Sequence, residues 1–110
     1  MPVMCIYRGV QVSPDEYDRV RDTVGWEASP PEGAIAHAIA FGPDGATEVN
    51  LWESEASFRR YLDTRLAPVL GHLGVSVGEP EIIEVYSMAV GDPAQAYHIP
   101  RAASRPLQPA

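Results

Sequence analysis

The spacing of apolar and polar positions changes several times along the chain, and each change predicts an element. Val3 to Arg8 is rich in β-branched and aromatic residues, which predicts a first strand. At Ser13 the pattern turns helical. Ser13 and Glu16 form an S-x-x-E capping box with Pro14 in the first helical position, and Tyr17, Val20 and Val24 then recur on one helical face. Gly25 ends this helix, Trp26 follows it, and the segment SPPEG, Ser29 to Gly33, is a connection that no helix tolerates.

Two alternating runs between Ala34 and Trp52 flank Gly42-Pro43-Asp44-Gly45, in which proline presets φ and the glycines accept positive φ. A four-residue turn there pairs Phe41 with Ala46, Ile39 with Glu48, His37 with Asn50 and Ile35 with Trp52. One face of the hairpin then carries Ala34, Ala36, Ala38 and Ala40 with Val49 and Leu51, a small-residue surface suited to close helix docking. The other carries Ile35, His37, Ile39 and Phe41 with Glu48, Asn50 and Trp52. Ser54 is positioned to cap a second helix whose stripe is Phe58, Tyr61, Leu62, Leu66, Val69 and Leu70; Pro68 should kink or restart it, and Gly71 and Gly74 end it. Glu81 to Val90 predicts a last strand, with Ile83 and Val85 on one face and Ile82, Glu84, Tyr86 and Met88 on the other.

The resulting β-α-β-β-α-β order is the ferredoxin-like plan of the α+β class, an antiparallel sheet with both helices on one face. Residues 1–91 are expected to form one domain. Residues 92–110, with four prolines and many alanines, are expected to be a tail that is disordered or packed on a partner subunit. The sheet face carrying Trp52, Phe41, Ile39 and Tyr86 would be left as an apolar patch, and a second sheet would cover it, which predicts a homodimer.

Composition narrows the functional classes. The chain has 110 residues, 45% of them apolar, enough for one core and too few for two. Eight basic against fifteen acidic side chains give a net charge of −7, which disfavours nucleic acid and anionic membrane surfaces as partners. A single cysteine, Cys5, excludes an intrachain disulfide and a multi-thiolate metal site and fits a reducing cytoplasm. No apolar run approaches the ~18 residues of a membrane span, and the N-terminal run reads as a strand rather than a signal peptide. His37, His72 and His98 lack metal-ligand spacing, and dinucleotide, phosphate-loop and zinc-protease motifs are absent, so neither metal nor cofactor is predicted.

The element order and the run VNLWESEASFRRYL, Val49 to Leu62, resemble the dimeric α/β-barrel superfamily, in particular the small antibiotic biosynthesis monooxygenase-like proteins. Those often end the third strand in a tryptophan followed by a serine-capped helix, matched here by Trp52 and Ser54. As an architecture the resemblance covers roughly residues 2 to 90. It implies a dimer with substrate cavities between sheet and helices or near the dimer interface. The chemistries it implies include cofactor-free oxygenation, lactone isomerisation, polyketide cyclisation and haem degradation.

Among single residues His37 carries the most chemistry, since an imidazole can accept or deliver a proton near neutral pH. Its alternative role is a core histidine satisfied by Asn50. Glu48 and Glu84 stand on apolar strands, where a carboxylate is unusual unless paired, solvated or functional. With Asn50 polarising a carbonyl or enolate, the expected catalytic set is His37, Glu48, Asn50 and Glu84. Tyr7, Ile35, Ile39, Phe41, Trp52 and Tyr86 are expected to bind a small hydrophobic substrate. The expected activity is cofactor-independent acid–base catalysis, cyclisation or isomerisation, on a carbonyl-bearing, polyketide-like molecule. The alternatives are cofactor-free monooxygenation and a non-catalytic dimeric carrier.

Overall fold

The computed structural model describes residues 1–97. Its elements are strand β1 (Val3–Val10), helix α1 (Pro14–Val24), strands β2 (Ala34–Gly42) and β3 (Gly45–Trp52), helices α2 (Glu55–Tyr61) and α3 (Ala67–Leu73), and strand β4 (Glu81–Glu84). Local chemistry explains the boundaries of α1. Ser13 Oγ accepts from the Glu16 N–H at 3.1 Å, and the Glu16 carboxylate accepts from the Ser13 N–H at 2.9 Å, so the capping box is complete. At the other end Gly25 is left-handed (φ 73°) and its N–H bonds the Arg21 carbonyl. The second helix is a rod in which a π-helical turn, Leu62–Leu66, joins α2 to α3. Pro68 sits in the first turn of α3, so the widened turn falls where a proline removes an N–H and crowds the preceding turn. Gly71 lies inside α3, and Gly74 alone caps it.

The sheet order is β2-β3-β1-β4 with every neighbour antiparallel, so the fold is ferredoxin-like α+β. The hairpin pairs Phe41 with Ala46, Ile39 with Glu48 and His37 with Asn50, as a four-residue turn requires. The expected Ile35–Trp52 pair does not form. The register shifts between Ala34 and Ala36, so Trp52 faces Ala34 and Ile35 lies in the bulge.

The helices dock on the opposite face from the one that the alanines suggest. Trp52, Phe58 and Cys5 are fully buried between sheet and helices, and Trp26 and Tyr61 close around Trp52 with ring centroids 5.2 and 5.0 Å away. Burial stabilises in proportion to the apolar area removed from water, and this aromatic-rich face offers far more of it than a row of methyl groups. The bare face carries Ala36, Ala38, Ala40 and Ile83, all exposed, with Met4, Val49 and Leu51 half-buried. Trp52 and Ile39 are therefore not part of the uncovered patch.

Strand β4 is four residues long instead of the expected ten. It pairs antiparallel with β1, and Glu84 already lies opposite Val3, where β1 begins. One more hydrogen bond, Val85 N–H to the Pro2 carbonyl at 2.9 Å, follows, and then the chain has outrun its partner. Of the expected tail, Asp92–Tyr97 is a short 3-10 helix and residues 98–110 lie outside the described residues. Among the described residues no helix is long and apolar enough to cross a membrane.

Candidate active site

Between the sheet and the helices lies a cavity of about 70 Å³. The strands supply its polar floor: Tyr7 from β1, His37 from β2, and Glu48 and Asn50 from β3. Helix α1 contributes Tyr17, Val20, Arg21 and Val24, and the turn after Gly25 brings in Trp26. Tyr61, Leu66 and Leu70 of the second helical rod close the far wall, and Val75 and Val77 the end. The lining is mostly apolar with a small number of polar groups, the usual composition of a small-molecule site.

His37 is the centre of the polar side. Its ring lies 4.4 Å from the Trp26 ring at an interplanar angle of 64°, an edge-to-face contact. Its Nε2 is 3.6 Å from Glu27 Oε2 and its Nδ1 is 3.6 Å from Glu48 Oε2. Both distances are within ion-pair range and beyond a hydrogen bond. Among the described residues no group of three or more His, Cys, Asp and Glu side chains is arranged to hold a metal ion. Here the two carboxylates address opposite nitrogens of one ring and do not converge on a point.

Several buried polar atoms have no hydrogen-bond partner among the described residues: Tyr7 Oη, His37 Nδ1, Asn50 Nδ2, and Nε and Nη2 of Arg21. Such atoms are costly unless something meets them. The Trp52 Nε1–H donates to Asn50 Oδ1 at 3.4 Å, which turns the Asn50 amide so that its N–H₂ end is the free one. Burial, reinforced by the negative charge of Glu48, holds the Tyr7, Tyr17 and Tyr61 phenols well above their ordinary range. They are hydrogen-bond donors at neutral pH. Arg21 stacks over the Tyr17 ring at 5.6 Å and reaches Asp18 at 3.4 Å and Glu27 at 4.0 Å.

Of the residues expected to form the site, the fold brings together Tyr7, His37, Ile39, Glu48 and Asn50. Trp52 lies beneath the floor, fully buried, and acts on the cavity through its bond to Asn50. Phe41 packs at the rim, 6.2 Å from Tyr17, and Ile35 sits in the bulge away from the lining. Glu84 is exposed on the edge strand and Tyr86 is fully exposed beyond it; neither lines the cavity. Sequence reasoning missed Tyr17 and Tyr61 as wall residues, together with Arg21, Trp26 and Glu27. Arg21 stands one turn beyond Tyr17 and next to Val20, so the stripe of α1 pointed towards it. Glu27 sits in a loop and gave no local signal.

No protein-family description and no curated protein matches the chain. Solved structures do. A protein of unknown function from Nitrosomonas europaea superimposes with a TM-score of 0.59 at 12% identity, over 82% of this chain and 93% of that one. SnoaB, a cofactor-independent oxygenase from Streptomyces nogalater, gives a TM-score of 0.55 at 18% identity, over 79% of this chain and 92% of that one. For a putative antibiotic biosynthesis monooxygenase from Chloroflexus aurantiacus the TM-score is 0.52 at 15% identity, over 82% of this chain and 97% of that one. At these identities it is the fold that is shared. The chain shares its ferredoxin-like fold with these three structures.

Proposed function

We propose that this protein is a cofactor-independent acid–base enzyme acting on a hydrophobic, carbonyl-bearing small molecule, with His37 as its base. The observation that carries the reading is the set of unpartnered polar atoms gathered in a mostly apolar cavity: His37 Nδ1, the Tyr7 hydroxyl and the Asn50 amide. A ligand with a carbonyl oxygen and an acidic C–H beside it answers all three. His37 Nδ1 takes the proton, the electron pair moves into an enolate, and the Tyr7 O–H and Asn50 N–H donate to the enolate oxygen. Glu48, 3.6 Å from Nδ1, then faces the new imidazolium N–H.

The enolate has two fates. Reaction with dioxygen converts the C–H₂ carbon to a carbonyl, with one oxygen atom kept and the other leaving as water, and needs no external reductant. Cyclisation or isomerisation returns the proton to a different atom. The fold is shared with a cofactor-independent oxygenase, which supports oxygenation ahead of the cyclisation that the residues alone suggest. The reading is tested with a panel of hydroxylated polycyclic ketones, following oxygen uptake with chelator present and no flavin added. The expected result is uptake that falls by at least ~10²-fold in His37→Ala. Wild-type uptake in that variant would end the proposal. Product formation without uptake would assign cyclisation, and binding without turnover would make the protein a carrier.

We also infer a homodimer, formed through the bare sheet face of Met4, Val49, Leu51 and Ile83, which is continuous and largely apolar. Light scattering at micromolar concentration is expected to give twice the chain mass; a stable monomer would refute the dimer.

A further inference from the structure

His37 has a carboxylate oxygen at each nitrogen, 3.6 Å away in both directions. A neutral imidazole carries one N–H, so only one of these carboxylates can be its acceptor, and the choice decides which nitrogen is the base. The two are not equivalent. The Glu27 oxygen facing Nε2 is also 4.0 Å from Arg21 Nε, and Arg21 is in turn held by Asp18 at 3.4 Å. Trp26, the residue before Glu27, packs edge-on against the His37 ring, and both follow directly from the left-handed turn at Gly25. Glu27 is therefore held by Arg21 on one side and by the turn that carries it on the other. Glu48 is the more exposed of the two, 25% against 18% for the side chain. Nδ1 is sealed from solvent and has no hydrogen-bond partner among the described residues, as befits the atom that waits for a substrate.

We propose that Glu27 is a positioning residue that keeps the His37 proton on Nε2 and so leaves Nδ1 as the basic nitrogen facing the cavity. Carboxylates behind imidazoles fix tautomer and ring orientation in this way. Glu48 becomes an acceptor only after Nδ1 has taken a proton. The consequence for turnover rests on the acid–base reading of the site; the tautomer itself does not.

The test is a long-range ¹⁵N–¹H correlation spectrum of the labelled full-length protein, with the His37 signals assigned by their loss in His37→Gln. The wild type is expected to show protonated Nε2 and bare Nδ1. Glu27→Gln keeps the shape but replaces an ionised acceptor by a neutral amide, and is expected to lower the Nε2–H to Nδ1–H ratio by roughly tenfold. Unchanged Trp26 and Trp52 indole signals would report an intact fold. Glu48→Gln is expected to leave the Nε2–H form dominant. A wild-type spectrum with the proton on Nδ1, a Glu27→Gln spectrum like the wild type, or a switch caused by Glu48→Gln would each overturn the proposal. With a turned-over ketone, Glu27→Gln is expected to lower kcat by about 10- to 100-fold with KM within about twofold, and Glu27→Asp to recover part of the loss. The spectra need no substrate, so an inert wild type counts against the enzymatic reading while the tautomer assignment stands or falls on its own data.

Discussion

The two faces of one sheet differ more than any other two regions of this molecule. Leu51 and Trp52 are adjacent, yet Trp52 is fully buried beneath two helices while Leu51 remains half-exposed on a face that none of the described helices covers. The covered face holds every strand residue of the cavity: Tyr7, Val10, His37, Ile39, Ala46, Glu48 and Asn50. Among the described residues the bare face holds alanines and aliphatic residues, with Thr47 and, at the β4 edge, Glu81, and no histidine. Packing and chemistry thus share a side. The aromatic volume that draws the helices onto the sheet also leaves a gap between them, and His37, Glu48 and Arg21 line that gap.

The largest effect is expected from Trp52→Ala, which removes a fully buried ring and frees Asn50 from its hydrogen bond. A loss of ~3–5 kcal/mol is expected in urea unfolding. A loss under about 1 kcal/mol would mean that the faces differ less than described. Gly45→Ala comes next. Gly45 has φ 115°, and a Cβ there would lie 2.9 Å from the Gly9 carbonyl carbon and the Val10 oxygen of β1, so roughly 2–3 kcal/mol is expected by the same measurement. Alkaline pH gives a smaller, graded effect on the covered face alone. Burial, partly offset by Arg59, pushes the Cys5 thiol from its ordinary 9.0 up to about 11. The folded protein keeps that proton longer than the unfolded chain, so the contribution is fully present below about pH 9 and is lost as pH rises through about 11. The urea midpoint is expected to fall between about pH 8 and about pH 10.5, and Cys5→Ala to flatten the fall below pH 10. Smallest in folding terms is Leu51→Arg, at about 0.5 kcal/mol or less for the isolated chain. It is expected to halve the mass seen by light scattering, and a dimer that survives it would place the interface elsewhere.

The sequence was informative where neighbours along the chain decide the outcome. The capping box at Ser13, the left-handed stop at Gly25 and the register around Gly42 to Gly45 all follow from a few adjacent residues, and with the register came the cluster of His37, Glu48 and Asn50. Which face the helices choose depends on Trp26, Phe58 and Tyr61 meeting Trp52, contacts between distant segments that no local alternation encodes. The length of β4 is likewise set by where β1 begins and not by its own residues, so Tyr86 falls beyond the sheet, while Glu84 stays on the strand but is exposed because β4 is the edge. Glu27 reaches His37 only because the turn at Gly25 and the position of β2 bring them together.

The bulge between Ala34 and Ala36 carries a consequence for how this chain can change length. Side chains in a strand alternate sides, so removing one residue from the turn at Pro43 would turn every later partner of β2 to the wrong side and empty the cavity of its histidine. Removing Ile35 takes out the residue that the pairing already skips, and His37 keeps its side. Insertions and deletions in this hairpin should therefore be tolerated at its open end and lethal at its tip.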